Sequence, residues 1–173
     1  MALTSEICEY DDTSPTRFQA EKKMIEQRLG SLVEEIHHIG STSIVGIKAK
    51  PEIDLLIIVK SIDQIDTIES AMSTLGYDVR GECGIPGRYY FSKNVNGKRT
   101  HKAHLCIDSH RLALELIVFR DYLQDHPSEA KIYESLKIGL AKKGTAVTRE
   151  YLDGKVDYIQ GIIVKSISEG YGR

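Results

Sequence analysis

Long apolar runs are missing from this chain. None approaches the ~18 residues that a membrane-spanning helix needs. The first residues lack the basic-then-apolar pattern of a secretory leader. The expectation is therefore a cytoplasmic protein with no membrane partner. Cysteine is scarce: Cys8, Cys83 and Cys106 are far apart, and no C-x-x-C pair exists. That argues against a disulfide framework and a cysteine-based zinc site, and it fits a reducing compartment. An excess of one charge is also missing, with a net charge of −2. Nothing global calls for a polyanion, and binding a nucleic acid would require a local basic patch. Repeats, low-complexity tracts and linkers are absent too. The 173 residues, 41% hydrophobic and 28% charged, are an ordinary globular profile and predict a single domain over 1–173.

What is present is a pattern of alternating elements. Ser14-Pro15 predicts a helix start, with Ser14 as the cap. Phe18, Met24, Ile25 and Leu29 form its apolar stripe, and Gly30 stops it. Residues 32–39 predict a strand running into Gly40-Ser41, and 42–48 one or two helical turns. Ile53 to Val59 is almost wholly apolar, as in a central strand buried on both faces. Ser61 and Gln64 have capping-box spacing ahead of a helix carrying Ile65, Ile68, Met72 and Leu75, which Gly76 ends. Strands are predicted at 77–79, 88–91 and 100–107, with a hairpin turn at Asn96-Gly97. The last third is helical, with starts near Ser109, at His126-Pro127 and at Thr148. Val147 and Leu152 are spaced for a hydrophobic staple, and Gly144 ends the middle helix. The fold class is α+β: a mixed sheet of about five strands, helices on one side, and a helical C-terminal region.

The chemistry concentrates around Gly40, Ser41, Glu52 and Asp54. On a strand, residues i and i+2 share a face, so Glu52 and Asp54 can aim at one spot. Glycine lets a backbone approach a phosphate, and the Ser41 hydroxyl can donate to phosphate oxygens. Two carboxylates beside such a turn suit Mg²⁺ (or Mn²⁺) carrying a nucleoside triphosphate. The bland alternative is a turn followed by a capped strand start. His101 and His104, three apart on a strand, face opposite ways and should not share a metal. His104 is the candidate for the cleft, as ligand, phosphate donor or general base. Among the scattered cations Lys48, Lys50, Arg88, Lys98, Arg99 and Arg120, Lys50 and Arg88 are the candidates for neutralising phosphate. Glu115 is a further carboxylate in an apolar setting. In Phe119-Arg120-Asp121-Tyr122-Leu123 the spacing favours packing, with Arg120 and Asp121 fixing a helix to the sheet.

Taken together these residues resemble the GrpB-like family of small bacterial proteins. The resemblance rests on His37-His38-Ile39-Gly40-Ser41-Thr42, on Gly46…Ala49-Lys50-Pro51…Ile53-Asp54, on Gly84-Ile85-Pro86-Gly87-Arg88, and on Phe119 to Leu123 with His126-Pro127…Ala130. Tyr133, Leu136, Lys137 and Leu140 extend it, and it covers roughly 8–145. It implies a nucleotidyltransferase fold of the polymerase-β superfamily, whose hallmark is a Gly-Ser turn, an acid-x-acid pair and a third acid on a later strand. Gly40 and Ser41 then match the turn, and Glu52 and Asp54 the pair. On the strand that should carry the third acid, the resemblance supplies His104. Family members often have an apolar residue in place of Glu52, and the usual proline before Gly46 is Val45 here.

Three functions follow as expectations. The first is metal-dependent nucleotidyl transfer from a nucleoside triphosphate to a small-molecule or protein acceptor. It would use Glu52, Asp54 and His104, with Gly40, Ser41, Lys50 and Arg88 on the phosphates. The second is a non-catalytic nucleotide- or metabolite-binding module in a degenerate cleft. The third is a metal hydrolase built from His37, His38, His101 or His104.

Overall fold

In the computed structural model, residues 6–142 and 149–172 are described. Five strands form one mixed sheet: β1 (Val33–Ile39), β2 (Ile53–Val59), β3 (Tyr77–Val79), β4 (Tyr89–Val95) and β5 (Lys98–Ile107), in the spatial order β1-β2-β5-β4-β3. Only the β2–β5 pair is parallel. Five helices accompany them: α1 (Ser14–Leu29), α2 (Ile65–Thr74), α3 (Arg111–Asp125), α4 (Pro127–Lys142) and α5 (Arg149–Ser168).

The helices lie on both faces of the sheet, not on one as expected. The strand alternation decides this. Ile53, Leu55, Ile57 and Val59 of β2 pack with Phe18, Ile25 and Leu29 of α1 and Ile68 and Met72 of α2. Leu56 and Ile58 turn the other way, toward Ala113 of α3. A strand apolar at every position but Asp54 requires cover on both sides. Val118, Phe119, Tyr122 and Leu123 of α3 then build a further core with Ile44 and Ile47, Ala130 and Tyr133 of α4, and Ile162 and Ile163 of α5.

Local signals account for most boundaries. Gly30, at φ +56°, ends α1, and the Asn96-Gly97 turn has both residues at positive φ, as a type I′ hairpin requires. Two expected caps are not formed. Ser14 is itself the first helical residue of α1, and Asp11 bonds the backbone N–H of Thr13 instead. Ser61 bonds Asp63, which leaves Gln64 as the N-cap of α2 without a side-chain bond. His110, unforeseen as a cap, accepts from the Leu112 N–H at the start of α3. Residues 41–43 form a single 3-10 turn. The expected stop at Gly144, cap at Thr148 and Val147–Leu152 staple lie outside the described residues. Among the described residues no helix is long and apolar enough to cross a membrane.

Candidate functional site

The site forms where the end of β1 meets the start of β2. These strands are antiparallel, so Ile39 pairs with Asp54 and the following Gly40 lies against the Asp54 side chain. A Cβ built on Gly40 would sit 2.9 Å from Asp54 Cγ and 3.0 Å from its Cβ, and φ there is +71°. Gly40 is thus required by the approach of a carboxylate as much as by the turn. Around it, the Ser43 hydroxyl donates to Gly40 O (2.6 Å) and Thr42 Oγ1 to Glu52 O (3.2 Å).

Helices α3 and α4 clamp this loop from outside. Arg120 donates to His38 O (3.1 Å), Gln124 to Ser43 O (2.9 Å) and Lys131 to Gly46 O (2.8 Å). The Lys48 backbone N–H donates to Glu134. Lys137 of α4 is buried and donates both to Ser41 Oγ (2.8 Å) and to Lys48 O (2.9 Å). Arg120 thus holds α3 to β1, the structural role expected from its motif, while Phe119 and Leu123 are buried.

Glu52 and Asp54 do share a face, but cations claim them. The parallel register sets Asp54 beside Lys102, whose Nζ lies 2.8 Å from Asp54 Oδ1 and 3.6 Å from Glu52 Oε2. Arg99 Nε donates to Glu52 Oε2 at 2.9 Å. Glu52 is 2% exposed, and its Oε1 is buried with no hydrogen-bond partner among the described residues. The side chains of Asp54 and Lys102 are 16% and 27% exposed, so the pair lies at the edge of the buried region. Burial alone would lower Lys102, but Asp54 and Glu52 outweigh it and hold the ammonium above its ordinary value.

More positive charge converges from distant segments. Burial lowers Lys50, partly countered by Glu52. Lys137 is lowered to about 8 by burial and by Lys155, and Lys155 of α5 to about 8 by burial and by Lys102. Both lysines also feel Asp54. Lys50, Arg99, Lys102, Lys137 and Lys155 therefore surround two carboxylates. This local basic patch is one that the net charge of −2 conceals.

His104 lies on this face two residues beyond Lys102, with its ring 5.3 Å from that of Tyr90. Arg88 Nη1 bonds His104 Nδ1 at 3.0 Å. Arginine only donates, so Nδ1 accepts and the neutral ring carries its proton on Nε2. Burial pushes His104 down to about 4, with Arg88 and Lys102 adding to the effect, so it is neutral near pH 7. Arg88 itself is buried and also donates to Glu82 O and Cys83 O, which fixes the 82–87 loop to β5. Its guanidinium is thereby committed to the protein rather than aimed at a phosphate. His101 faces the other side of the sheet, near Glu21 of α1, as the strand parity predicted. His37 pairs with Glu35, and His38 stacks on Phe18 while bonding Thr42. Glu115 pairs with Arg111, and Lys48 with Glu9.

The donor set does not fit a divalent metal. Among the described residues no group of three or more His, Cys, Asp or Glu is placed to hold one. The two carboxylates that face together already have Lys102 and Arg99 as partners. An ion between them would meet three adjacent cations, counting Lys50. Lys102, Lys137 and Lys155 were missed by the sequence reading. Two of them carry a sequence signal: Lys102 shares the strand face of His104, and Lys137 belongs to the stretches of the family resemblance.

A mixed sheet with a Gly-Ser turn beside an acid-x-acid strand is a nucleotidyltransferase-like fold, and solved structures agree. The Cid1 poly(U) polymerase described with MgGTP bound matches with a TM-score of 0.53 at 13% identity, covering 82% of this chain and 46% of that one. Terminal uridylyl transferase 4 from Trypanosoma brucei with bound UTP gives 0.53 at 15%, covering 88% and 49%. At such identities the likeness concerns the fold.

The family model described as GrpB protein matches residues 4–165, and the chain belongs to the GrpB family. It is similar to the conserved protein GrpB from Enterococcus faecalis, with a TM-score of 0.88 and 32% identity over 95% of this chain and 98% of that one. It is 40% identical to the UPF0157 protein YqkA of Bacillus subtilis over 90% of its own length, and spans 45% of that relative. The glutamate-rich protein GrpB of Alkalihalophilus pseudofirmus is 34% identical, with 84% of this chain and 86% of that one covered.

Proposed function

We propose that the chain is a nucleotide-binding module on a nucleotidyltransferase-like fold, whose cleft holds the phosphates of a nucleoside triphosphate with lysines. The observation that carries this is the convergence of Lys50, Arg99, Lys102, Lys137 and Lys155 on Glu52 and Asp54. An anionic group entering there relieves repulsion among the cations, and the partly dry setting strengthens the attraction. Ser41 and the neutral His104, with its proton on Nε2, add donors suited to phosphate oxygens. The fold neighbours described with bound UTP or MgGTP point to a nucleoside triphosphate as the ligand class.

A second reading, metal-dependent nucleotidyl transfer to a small-molecule or protein acceptor, is favoured by one observation, the unpartnered Oε1 of Glu52. It requires Lys102 to leave Asp54. Thermal denaturation with each nucleoside triphosphate, in EDTA and in Mg²⁺ or Mn²⁺, tests the first reading. A rise in Tm in EDTA that shrinks in Lys155→Ala supports binding without metal. No shift with any nucleotide under any condition overturns it. Metal-dependent release of pyrophosphate by the wild type, absent in Asp54→Asn, would establish the second reading instead.

A further inference from the structure

We propose that Lys102 is a built-in replacement for the divalent cation, so that the cleft selects the metal-free form of its anionic ligand. The inference deepens the nucleotide-binding reading and rests on it for the ligand, but its structural half stands alone. Three observations carry it. Lys102 Nζ lies between the two carboxylates, 2.8 Å from Asp54 Oδ1 and 3.6 Å from Glu52 Oε2. Its backbone is held opposite Asp54 by the parallel β2–β5 ladder, so the ammonium is placed by the sheet rather than by a loop. Arg99 reinforces it from the same strand, 2.9 Å from Glu52 Oε2.

The charge balance follows from these contacts. In this cleft Lys102 and Arg99 neutralise the two carboxylates, and the buried Lys137, bonded to Ser41 Oγ and Lys48 O, adds further positive charge that Asp54 feels. Mg²⁺ bound to a triphosphate cancels two of the ligand's negative charges. It therefore weakens the attraction of the lysines and brings a dication toward an ammonium. The cleft thus discriminates against the metal complex. An acidic residue at 102 reverses the arrangement, because three carboxylates would then face one point on adjacent strands, a set suited to Mg²⁺ or Mn²⁺.

The experiment has two arms. In the first, titration calorimetry measures ATP binding to the wild type in EDTA and in excess Mg²⁺. Weaker binding by about tenfold or more in Mg²⁺ is expected, as the loss of two ligand charges among several lysines dictates. Equal or tighter binding in Mg²⁺ overturns the inference. In the second arm, Mn²⁺ alone is titrated and followed by the loss of its free EPR signal, for the wild type, Lys102→Asp and Lys102→Met. Expected are no specific site in the wild type, a site in Lys102→Asp that Asp54→Asn removes, and weaker binding in Lys102→Met. A tight Mn²⁺ site in the wild type that is lost in Asp54→Asn refutes the inference even if no nucleotide binds. Absence of ATP binding in both buffers with the Mn²⁺ pattern as expected fails the nucleotide reading alone. Should the Asp variant not fold by circular dichroism, Lys102→Met and the wild-type arm still decide.

Discussion

Alanine at Gly40 adds one methyl group where the chain has no room for it. The added carbon would stand 2.9 Å from Asp54 Cγ and 3.0 Å from Asp54 Cβ, with Oδ2 closer still. These atoms lie near the root of a strand side chain, so no flexible tip can swing aside. The backbone at Gly40, φ +71° and ψ −172°, is in a region that glycine alone populates readily. Forcing another residue there costs about 1–3 kcal/mol. Displacing Asp54 from Lys102 adds a comparable amount, because a partly buried charge loses its partner. The sum is roughly 3–5 kcal/mol, and for a chain of this size about 2–4 °C of Tm accompanies each kcal/mol. Gly40→Ala should therefore lower Tm by roughly 10 °C in thermal denaturation followed by circular dichroism. Gly46→Ala is the control: φ there is +79°, but nothing lies within 4 Å of an added Cβ. It should cost only the ~1–2 kcal/mol of a left-handed backbone. Equal destabilisation by the two substitutions would refute the claim that Asp54 is what demands glycine at position 40.

Acid should weaken the fold through its buried histidines. Burial holds His38, His101 and His104 at about 4, so between pH 6.5 and 4 the unfolded chain takes up protons that the native state refuses. Stability then falls as pH drops through that window, by up to roughly 3 kcal/mol per histidine. Urea melts at pH 7 and 5 would show it, and a flat profile would contradict it. At the basic end, Lys137 and Lys155 near 8 predict that ATP affinity declines as pH rises from 7 to 9, since the lysines lose the charge that attracts phosphate. Calorimetry at the two pH values checks this, and constant affinity would count against the lysine cleft. On the opposite face of the sheet, the Glu21–Lys93 pair (2.6 Å, side chains 4% and 13% exposed) is isolated from solvent. Glu21→Gln should destabilise by about 3 kcal/mol by leaving the ammonium uncompensated, whereas Glu21→Met with Lys93→Met should recover most of the loss in the same melts.

Much of the framework was legible because its signals are local. Gly30, the Asn96-Gly97 turn, the apolar run of β2 and the stripes of α1 and α2 each depend on neighbours a few residues away. The two missed caps show the limit of that logic. Ser14 and Ser61 have the chemistry of caps, but Asp11 bonds the Thr13 backbone ahead of α1, and Asp63 takes the Ser61 hydroxyl. The opposite faces of His101 and His104 followed from strand parity alone. By contrast, the choice of Arg88 as a phosphate cation read its charge and position correctly but not its partners. Four hydrogen bonds, to Glu82 O, Cys83 O and His104, commit it.

By itself, the sequence determined the α+β class, the Gly-Ser turn, and the shared face of Glu52 and Asp54, because period-2 and period-3.6 patterns are written along the chain. Tertiary structure decided what that face confronts. Lys102 reaches Asp54 through a parallel ladder between strands nearly fifty residues apart, and Lys137 and Lys155 arrive on helices folded back from the other end of the chain. Charge interactions act through space rather than along the backbone. A pair of acids that reads as a metal site in one dimension is therefore, in three, a pair of acids already neutralised by lysine and arginine.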